Sequence, residues 1–416
     1  MTSTSTAPHA EPAGEEFHDD IIHPSPVPFI LVHLASLGAI WSGVTLEAVV
    51  LGLSLYVARM FGVTAGFHRY FSHRSFKTSR VAQFVLAFMA QTSAQRGVLW
   101  WAAKHRHHHK HSDTEHDVHS PRHRGFIYSH VGWIFTKEHE DTDYDAIPDL
   151  TKYPELVWLN NHPYLPAALL AIACFALAGW PGLFVGFFWS TTLLYHGTFF
   201  INSLAHVHGT QRYVTGDDSR NNWWLAIITM GEGWHNNHHA YQRSTRQGFR
   251  WYEFDPTYYI LAMLSWVRIV WDLGEPPRDV VRNERRVGRA VVEKVAHHLA
   301  ATFPSEQIAQ RLRDAIDQSP ALRELRDRVA AGQARAEELL AGLHAPHLPS
   351  IEEGKARAHE MLASVHLPHI PTLAEIRARA EEMYARSPST DEIVARAREL
   401  ILHAVSRELV PAPAQG

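Results

Sequence analysis

The stretch LPAALLAIACFALAGWPGLFVGFFWSTTLLYHGTFFINSL, residues 165–204, contains no Asp, Glu, Lys or Arg. It is about twice the roughly 20 apolar residues that one helix needs to cross a hydrocarbon core. The Pro-Gly pair at Pro181 and Gly182 is a turn signal, so the stretch reads as a helical hairpin reversing there. A second apolar run covers residues 27–67, with His33, Glu47 and Arg59 as its ionisable exceptions and a small-polar break at WSGVT. It divides into one span at 27–41 and another at 46–66. The expected fold class is all-α and integral to a membrane, with four transmembrane helices arranged as two hairpins. Two buried helical pairs in a soluble protein are the alternative, and the length of the runs argues against it.

Basic residues follow the second span closely (Arg69, Arg74, Lys77, Arg80) and recur through 104–124. By the positive-inside rule these segments are cytoplasmic, and two crossings put the N-terminus on the same side. The expectation is a multi-pass protein with both termini and any site near these segments facing the cytoplasm. The run 81–103 is apolar but carries Gln83, Gln91, Gln95 and Arg96, which suits a segment lying in the interface or dipping in and returning. Residues 1–24 are polar and acidic, so no cleavable signal peptide is expected.

The mean hydropathy of -0.20 conceals two halves of opposite character. From about residue 281 the chain turns to Ala, Glu, Arg and Leu in amphipathic order, with ARAEEL at 334, ARAHEM at 356 and ARAEEM at 378, while LHAPHLP at 343 recurs as VHLPHIP at 365. This spacing keeps an apolar stripe in helical register, with prolines between the units. Such an extension can lie on a membrane, bind a partner helix or form a loose bundle. The plan is a polar tail at 1–26, a membrane domain at 27–280 and a helical extension at 281–416. A formal charge of -4 gives no reason to expect a nucleic-acid partner. The single cysteine, Cys174, excludes disulfides and thiolate metal sites and reads as a small packing residue.

Histidine is the anomaly, with 31 residues against 39 Lys plus Arg. The densest stretch is KHRHHHKHSD, residues 104–113. Four clusters stand out: HRYFSH (His68, His73), HRHHH (His105, His108, His109), NSLAH (Asn202, His206) and HNNHH (His235, His238, His239). Positions i, i+3 and i+4 share a helix face, so 105/108/109 and 235/238/239 each present three imidazoles in one direction. His68 and His73 are about 140° apart around a straight α-helix and are expected to straddle a helix end. Two hairpins return the ends of spans two and four to one face, where all four clusters can meet. Nine imidazoles exceed what one tetrahedral or octahedral ion needs, which implies two metal ions. Imidazole suits iron, zinc, copper or nickel, and the absence of sulfur excludes iron-sulfur centres. Two irons beside a membrane point to activation of O2 against an unreactive C–H bond.

The segments GVTAGFHRYFSHRSFKTS, VLWWAAKHRHHHKHSDTEHDVHSPRHRGFIYSHVGW, NSLAHVHG and GEGWHNNHHAY carry a resemblance. From about residue 27 to 274 the chain resembles the membrane fatty acyl desaturases, and among them the acyl-CoA delta-9 branch of the stearoyl-CoA type. The resemblance implies a non-haem diiron centre held by His68, His73, His105, His108, His109, His206, His235, His238 and His239. Asn202 would hold a water on one iron, while His107 and His111 match no ligand position. It further implies that a fatty acyl-CoA loses one hydrogen from each of C9 and C10, giving a cis double bond while O2 becomes water. Tyr56 and Met60 would close the acyl tunnel, setting a C16–C18 preference, and Gln95, Trp101 and Thr198 would lie at its bend. Arg122 and Arg124 are candidate contacts to coenzyme A. No c-type haem, flavin-type glycine or H-P-G-G motif is present, so a separate ferredoxin, rubredoxin or cytochrome with its reductase is the expected donor. The rival readings are a diiron hydroxylase or alkane-type monooxygenase, and a histidine-rich membrane metal-binding or transport protein.

Overall fold

The computed structural model describes residues 26–318, 320 and 369–409. The chain divides into two compact units, one ending at Arg282 and the other beginning at Asn283. Both are helical, and the strands among the described residues are a single two-stranded pair, Lys77–Thr78 against Val270–Trp271, antiparallel.

Two helices of the first unit are long and apolar enough to cross a membrane, Leu46–Ser72 (27 residues) and Leu165–His206 (42 residues), while Val27–Ser42 is apolar but shorter. The longer one doubles back. Gly179 takes a positive φ of 60° after a non-helical Ala178, so the reversal falls at 178–179, ahead of the expected Pro181-Gly182. Only glycine adopts that conformation at no steric cost, whereas Pro181 lacks an N–H that the first turn of the returning helix would leave unpaired anyway. The return is close: a Cβ on Gly182 would lie 2.3 Å from the carbonyl oxygen of Cys174, which is itself buried with Ala167 and Phe187. Two helices long and apolar enough to cross a membrane, one of them folded back on itself, and a shorter apolar helix thus occupy the two apolar runs read from the sequence.

These helices pack through small and polar contacts. A Cβ on Gly52 would sit 3.0 Å from the Val185 carbonyl, and Ser36 Oγ lies 2.9 Å from Thr192 Oγ1. Arg59, fully buried, donates to Thr191 Oγ1 at 2.7 Å and also to Ser190 Oγ, tying the second apolar helix to the last. Leu31, Leu34, Leu53, Val57, Ile172 and Leu177 face outward, an apolar exterior that hydrocarbon favours and water does not.

The 81–103 run is not one helix. It is shared between Arg80–Gln91 and Val98–His111, joined by a turn in which Ala94 and Arg96 have positive φ. Its glutamines explain the break. Gln91 Oε1 accepts from Val98 N at 3.0 Å, while its amide donates to the Leu159 carbonyl at 3.0 Å. Asn160 Oδ1 accepts from the amides of both Leu99 and Trp100 at 3.0 Å, capping the helix that carries His105, His108 and His109. In the second unit, Arg289–Ala301, Ser305–Gln318, Leu373–Met383 and Thr390–Leu409 bury Val295, Leu299, Ile376, Ile393, Ala397 and Val405. The ARAEEM repeat at 378 lies in the third of these helices, and the repeats at 334, 343 and 356 fall outside the described residues.

Asn160→Ala removes the acceptor shared by two buried amides. The expected cost is about 1–3 kcal/mol, seen as a lower unfolding temperature in detergent, because an orphaned buried donor forfeits its full desolvation energy.

Candidate metal centre and acyl cavity

The first histidine pair shows why the spacing of five works. Residues Gly62–Ser72 form a π-helix, not an α-helix, and His73 N donates to the His68 carbonyl five residues back at 3.2 Å. The wider turn brings the rings of His68 and His73 to centroids 4.9 Å apart, so they share a side where α-helical geometry separates them.

Imidazoles from all four segments form two groups. His68, His73, His105, His109 and His238 compose one, and His108, His206, His235 and His239 the other, with potential ligand atoms within 4.8 Å of one another in each. Each H-x-x-H-H triad is therefore divided. His105 and His109 face one group and His108 the other; His235 and His239 face the second and His238 the first. The expectation that each triad points in a single direction is corrected here: the two short helices lie between the two groups and serve both. The helix ends at Asn202, and a 3-10 turn, Leu204–His206, carries His206.

In the first group Nε2 atoms lie 3.0 Å apart between His68 and His238, 2.9 Å between His73 and His105, 3.0 Å between His105 and His109, and 2.9 Å between His109 and His238. In the second, His206 and His235 approach to 3.0 Å. Cis ligands bound at about 2.1 Å to one ion are separated by about 3.0 Å, so these distances match shared coordination. Hydrogen bonding among the rings does not account for them, since a neutral imidazole has one N–H. His109 Nδ1, His235 Nδ1, His238 Nδ1 and His239 Nε2 are buried without a partner. The residues present thus fit two metal ions of imidazole preference.

Carboxylates orient the second group. His108, His206 and His239 each donate Nδ1–H at 2.8 Å, to Asp117, Asp113 and Asp217 respectively. In the first group Glu232 pairs with His68 Nδ1 and is held in turn by Arg69, which also bonds Asp255. Burial opposes ionisation of Asp117 and Asp217, yet the adjacent His108 and His239 hold both carboxyls below the usual carboxylate range. Burial first, and neighbouring imidazoles second, keep His73, His105, His109, His235 and His238 neutral, well below their ordinary pKa. Neutral imidazole with its far nitrogen fixed by a carboxylate is the form that binds metal. Sequence reading missed these acids. Asp113 and Asp117 follow the second box directly and Glu232 stands three residues before His235, though its partner His68 is distant in the chain, while Asp217 carries no spacing signal.

A cavity reaches both groups. Its lining includes His68 and His105 of the first, His108 and His235 of the second, Asn202 and Glu232, together with Gln95, Trp101, Thr198, Phe199, Tyr195, Phe29, Arg96, Lys104 and Tyr164. Gln95 Nε2 donates to Thr198 Oγ1 at 2.8 Å, and Trp101 stacks on His105 with centroids 4.9 Å apart. Tyr56 and Met60, expected at its end, are not among its lining residues. They pack on Gly197, where a Cβ would meet them at 2.9 and 3.1 Å, and the adjacent Thr198 faces the cavity across the helix. Arg122 is ion-paired with Asp218 and Arg124 stacks on Tyr128, and neither lines the cavity. His107 bonds the His116 carbonyl and, like His111, joins neither group.

A model of the fatty acid desaturase family matches residues 45–265. The chain belongs to that family. It is 37% identical to an sn-2 palmitoyl-lipid 9-desaturase of Nostoc sp. (strain 36) over 52% of this chain and 78% of that protein. It is 38% identical to an sn-1 stearoyl-lipid 9-desaturase of Synechocystis sp. over 57% of this chain and 75% of that one. It is also 38% identical to an acyl-CoA 5-desaturase of Anemone leveillei over 54% and 71%. The desaturase family is membrane-associated, in keeping with the apolar helices, and its relatives here span lipid-linked and acyl-CoA types.

Asp217→Asn keeps the shape of the His239 partner and removes its charge. The expected result is metal affinity at the second group lowered about 10–100-fold in competition with a chelator, with the protein still folded.

Proposed function

We propose that this desaturase introduces a cis double bond, at the delta-9 position, into a saturated C16–C18 acyl chain, using O2, two iron ions and externally supplied electrons. The observation that carries this reading is the cavity itself, which is lined by imidazoles of both groups together with apolar and aromatic side chains such as Val63, Trp101, Ile134 and Phe199. The names of the relatives, palmitoyl-lipid and stearoyl-lipid 9-desaturase, support the chain length and position.

The nine histidines would hold the irons, five on one and four on the other, with Asn202 placed to hold a water on the four-histidine ion. When bound, the two irons supply reduction of O2 and abstraction of hydrogen. The balance is one saturated –CH2–CH2– unit, one O2, two electrons and two protons giving –CH=CH– and two waters. What the chain contributes is position. Burial of an acyl chain contributes about 0.8 kcal/mol per methylene, and the walls decide which carbons stop beside the imidazoles. The Gln95–Thr198 hydrogen bond fixes one side of the passage and Trp101, stacked on His105, fixes the other. A chain held there is oriented before reaction, which removes much of the entropic part of the barrier. The electrons would come from a separate ferredoxin, rubredoxin or cytochrome with its reductase, and the site would face the cytoplasm.

The test is expression in a desaturase-deficient host, with double bonds located by derivatisation and mass spectrometry. The wild-type chain is expected to yield cis-9 C16 or C18 products, lighter than their precursors by two hydrogens, and His238→Ala none. A product heavier by one oxygen would instead assign a hydroxylase.

A further inference from the structure

We propose that two short helices outside the spanning segments, Trp223–Ile228 and Pro256–Trp266, are immersed in lipid beside the span Leu46–Ser72 and anchor the histidine-bearing part of this unit in one leaflet. The placement stands on the membrane reading of that span and is independent of the reaction catalysed.

Neither helix belongs to the apolar runs read from the sequence, and at 6 and 11 residues both are too short to cross a bilayer. Residues 223–228 and 256–267 contain no Asp, Glu, Lys, Arg or His. Trp223–Ile228 buries Leu225 and Ala226 and leaves Trp223, Trp224, Ile227 and Ile228 exposed. Pro256–Trp266 buries Thr257 and Leu261 and turns Tyr259, Met263 and Trp266 outward, a stripe at i, i+4 and i+7, with Val267 exposed just beyond it. Trp266 is 80% exposed and Ile227 53%. A surface helix in water carries polar residues on its outer stripe, whereas both outer stripes here are apolar. Contiguous apolar patches above roughly a few hundred Å² are rare on surfaces that face only water.

The depth at which the helices attach identifies what covers them. Tyr56 stands near the middle of Leu46–Ser72 and donates its hydroxyl to the Ile228 carbonyl at 2.7 Å. Farther along the same span, Thr64 Oγ1 lies 2.7 Å from Thr257 Oγ1, and Met230 and Ile260 pack with Met60. Both helices are therefore fixed to the span within its apolar length. Their outward residues continue the exterior that Leu53 and Val57 present on the span itself, and a bilayer that covers one covers the other.

The neighbouring loop has the composition of a membrane boundary. Phe254, exposed, lies against Tyr259 with ring centroids 5.5 Å apart, and Trp251 and Tyr252 are exposed just before it. Arg250 and Arg268, both exposed, adjoin Trp251 and Val267 in the chain. Trp and Tyr rings at headgroup level, flanked by Arg side chains that reach phosphate, are the usual composition of such a boundary. Trp223–Ile228 leads through Met230 and Gly231 into Glu232 and His235, so a helix held in lipid sets the start of the segment that carries the third histidine box.

The experiment uses the full chain in nanodiscs of phosphatidylcholine and phosphatidylglycerol. The single cysteine is removed as Cys174→Ala, and one nitroxide at a time is attached through Ile227→Cys, Met263→Cys or Trp266→Cys. Power-saturation EPR reads collisions with O2, which partitions into lipid, and with a water-soluble nickel chelate. Labels at Leu53→Cys, on the span, and at Asp141→Cys, on an exposed acidic position, mark the two limits. The expected result is an O2-to-nickel collision ratio at 227, 263 and 266 severalfold above that at 141 and close to that at 53. A ratio equal to that at 141 would put the helices in water and overturn the proposal. Shielding from both reagents would assign a contact with a second copy of the chain and overturn it equally. A water-like ratio at 53 itself would overturn the membrane reading of the span together with the proposal.

Discussion

The first unit depends on one electrostatic constraint: imidazole nitrogens of nine histidines gathered inside the protein into two groups, each with its potential ligand atoms within 4.8 Å of one another, seven of the rings approaching a neighbour to about 3 Å. Without a shared positive ion those nitrogens are a set of lone pairs and N–H groups that cannot all be satisfied, and His239 Nε2, opposite the nitrogen bonded to Asp217, is buried without a partner. The surrounding chain bears the cost of holding them. Three aspartates and Glu232 fix the far nitrogens of His108, His206, His239 and His68, Arg69 links Glu232 to Asp255, and a π-helix replaces the regular turn at the first box. Such a preorganised polar cluster is the costliest kind to leave half-complete, so its outer partners matter as much as the rings that face inward.

The apolar helices give this cluster its place. Leu46–Ser72 runs directly into His68, and Leu165–His206 ends on the last ligand candidate of its segment. The folding back at Gly179 and the buried Arg59 set where the ends of those helices lie. The cavity then follows from the packing: helix 190–202 turns Gly197 toward Tyr56 and Met60, and Tyr195, Thr198 and Phe199 toward the acyl passage.

Much of this was legible in the residues. The apolar runs and the boxes followed from composition and spacing, since histidines at i, i+3 and i+4 are a local pattern, whereas the setting aside of His107 and His111 and the family came from the resemblance that the boxes carry. What was not legible depends on contacts made far apart in the chain. The division of each triad between two groups is set by how two short helices lie against His68, His73 and His206, which no local period encodes. The π-helix defeats an angle computed for an α-helix. Asp217 and Glu232 look like ordinary acids until the fold carries them to His239 and His68. Tyr56 and Met60 were read from the position of a motif, and one glycine, Gly197, decides which side of the helix they meet.

The most direct test is the metal content of the purified chain, with iron and protein measured on the same sample for the wild type and for His235→Ala. The account expects two irons per chain in the wild type, and about one in the variant, whose five-histidine group is untouched. A wild type holding a single ion, or zinc in both positions, would contradict it.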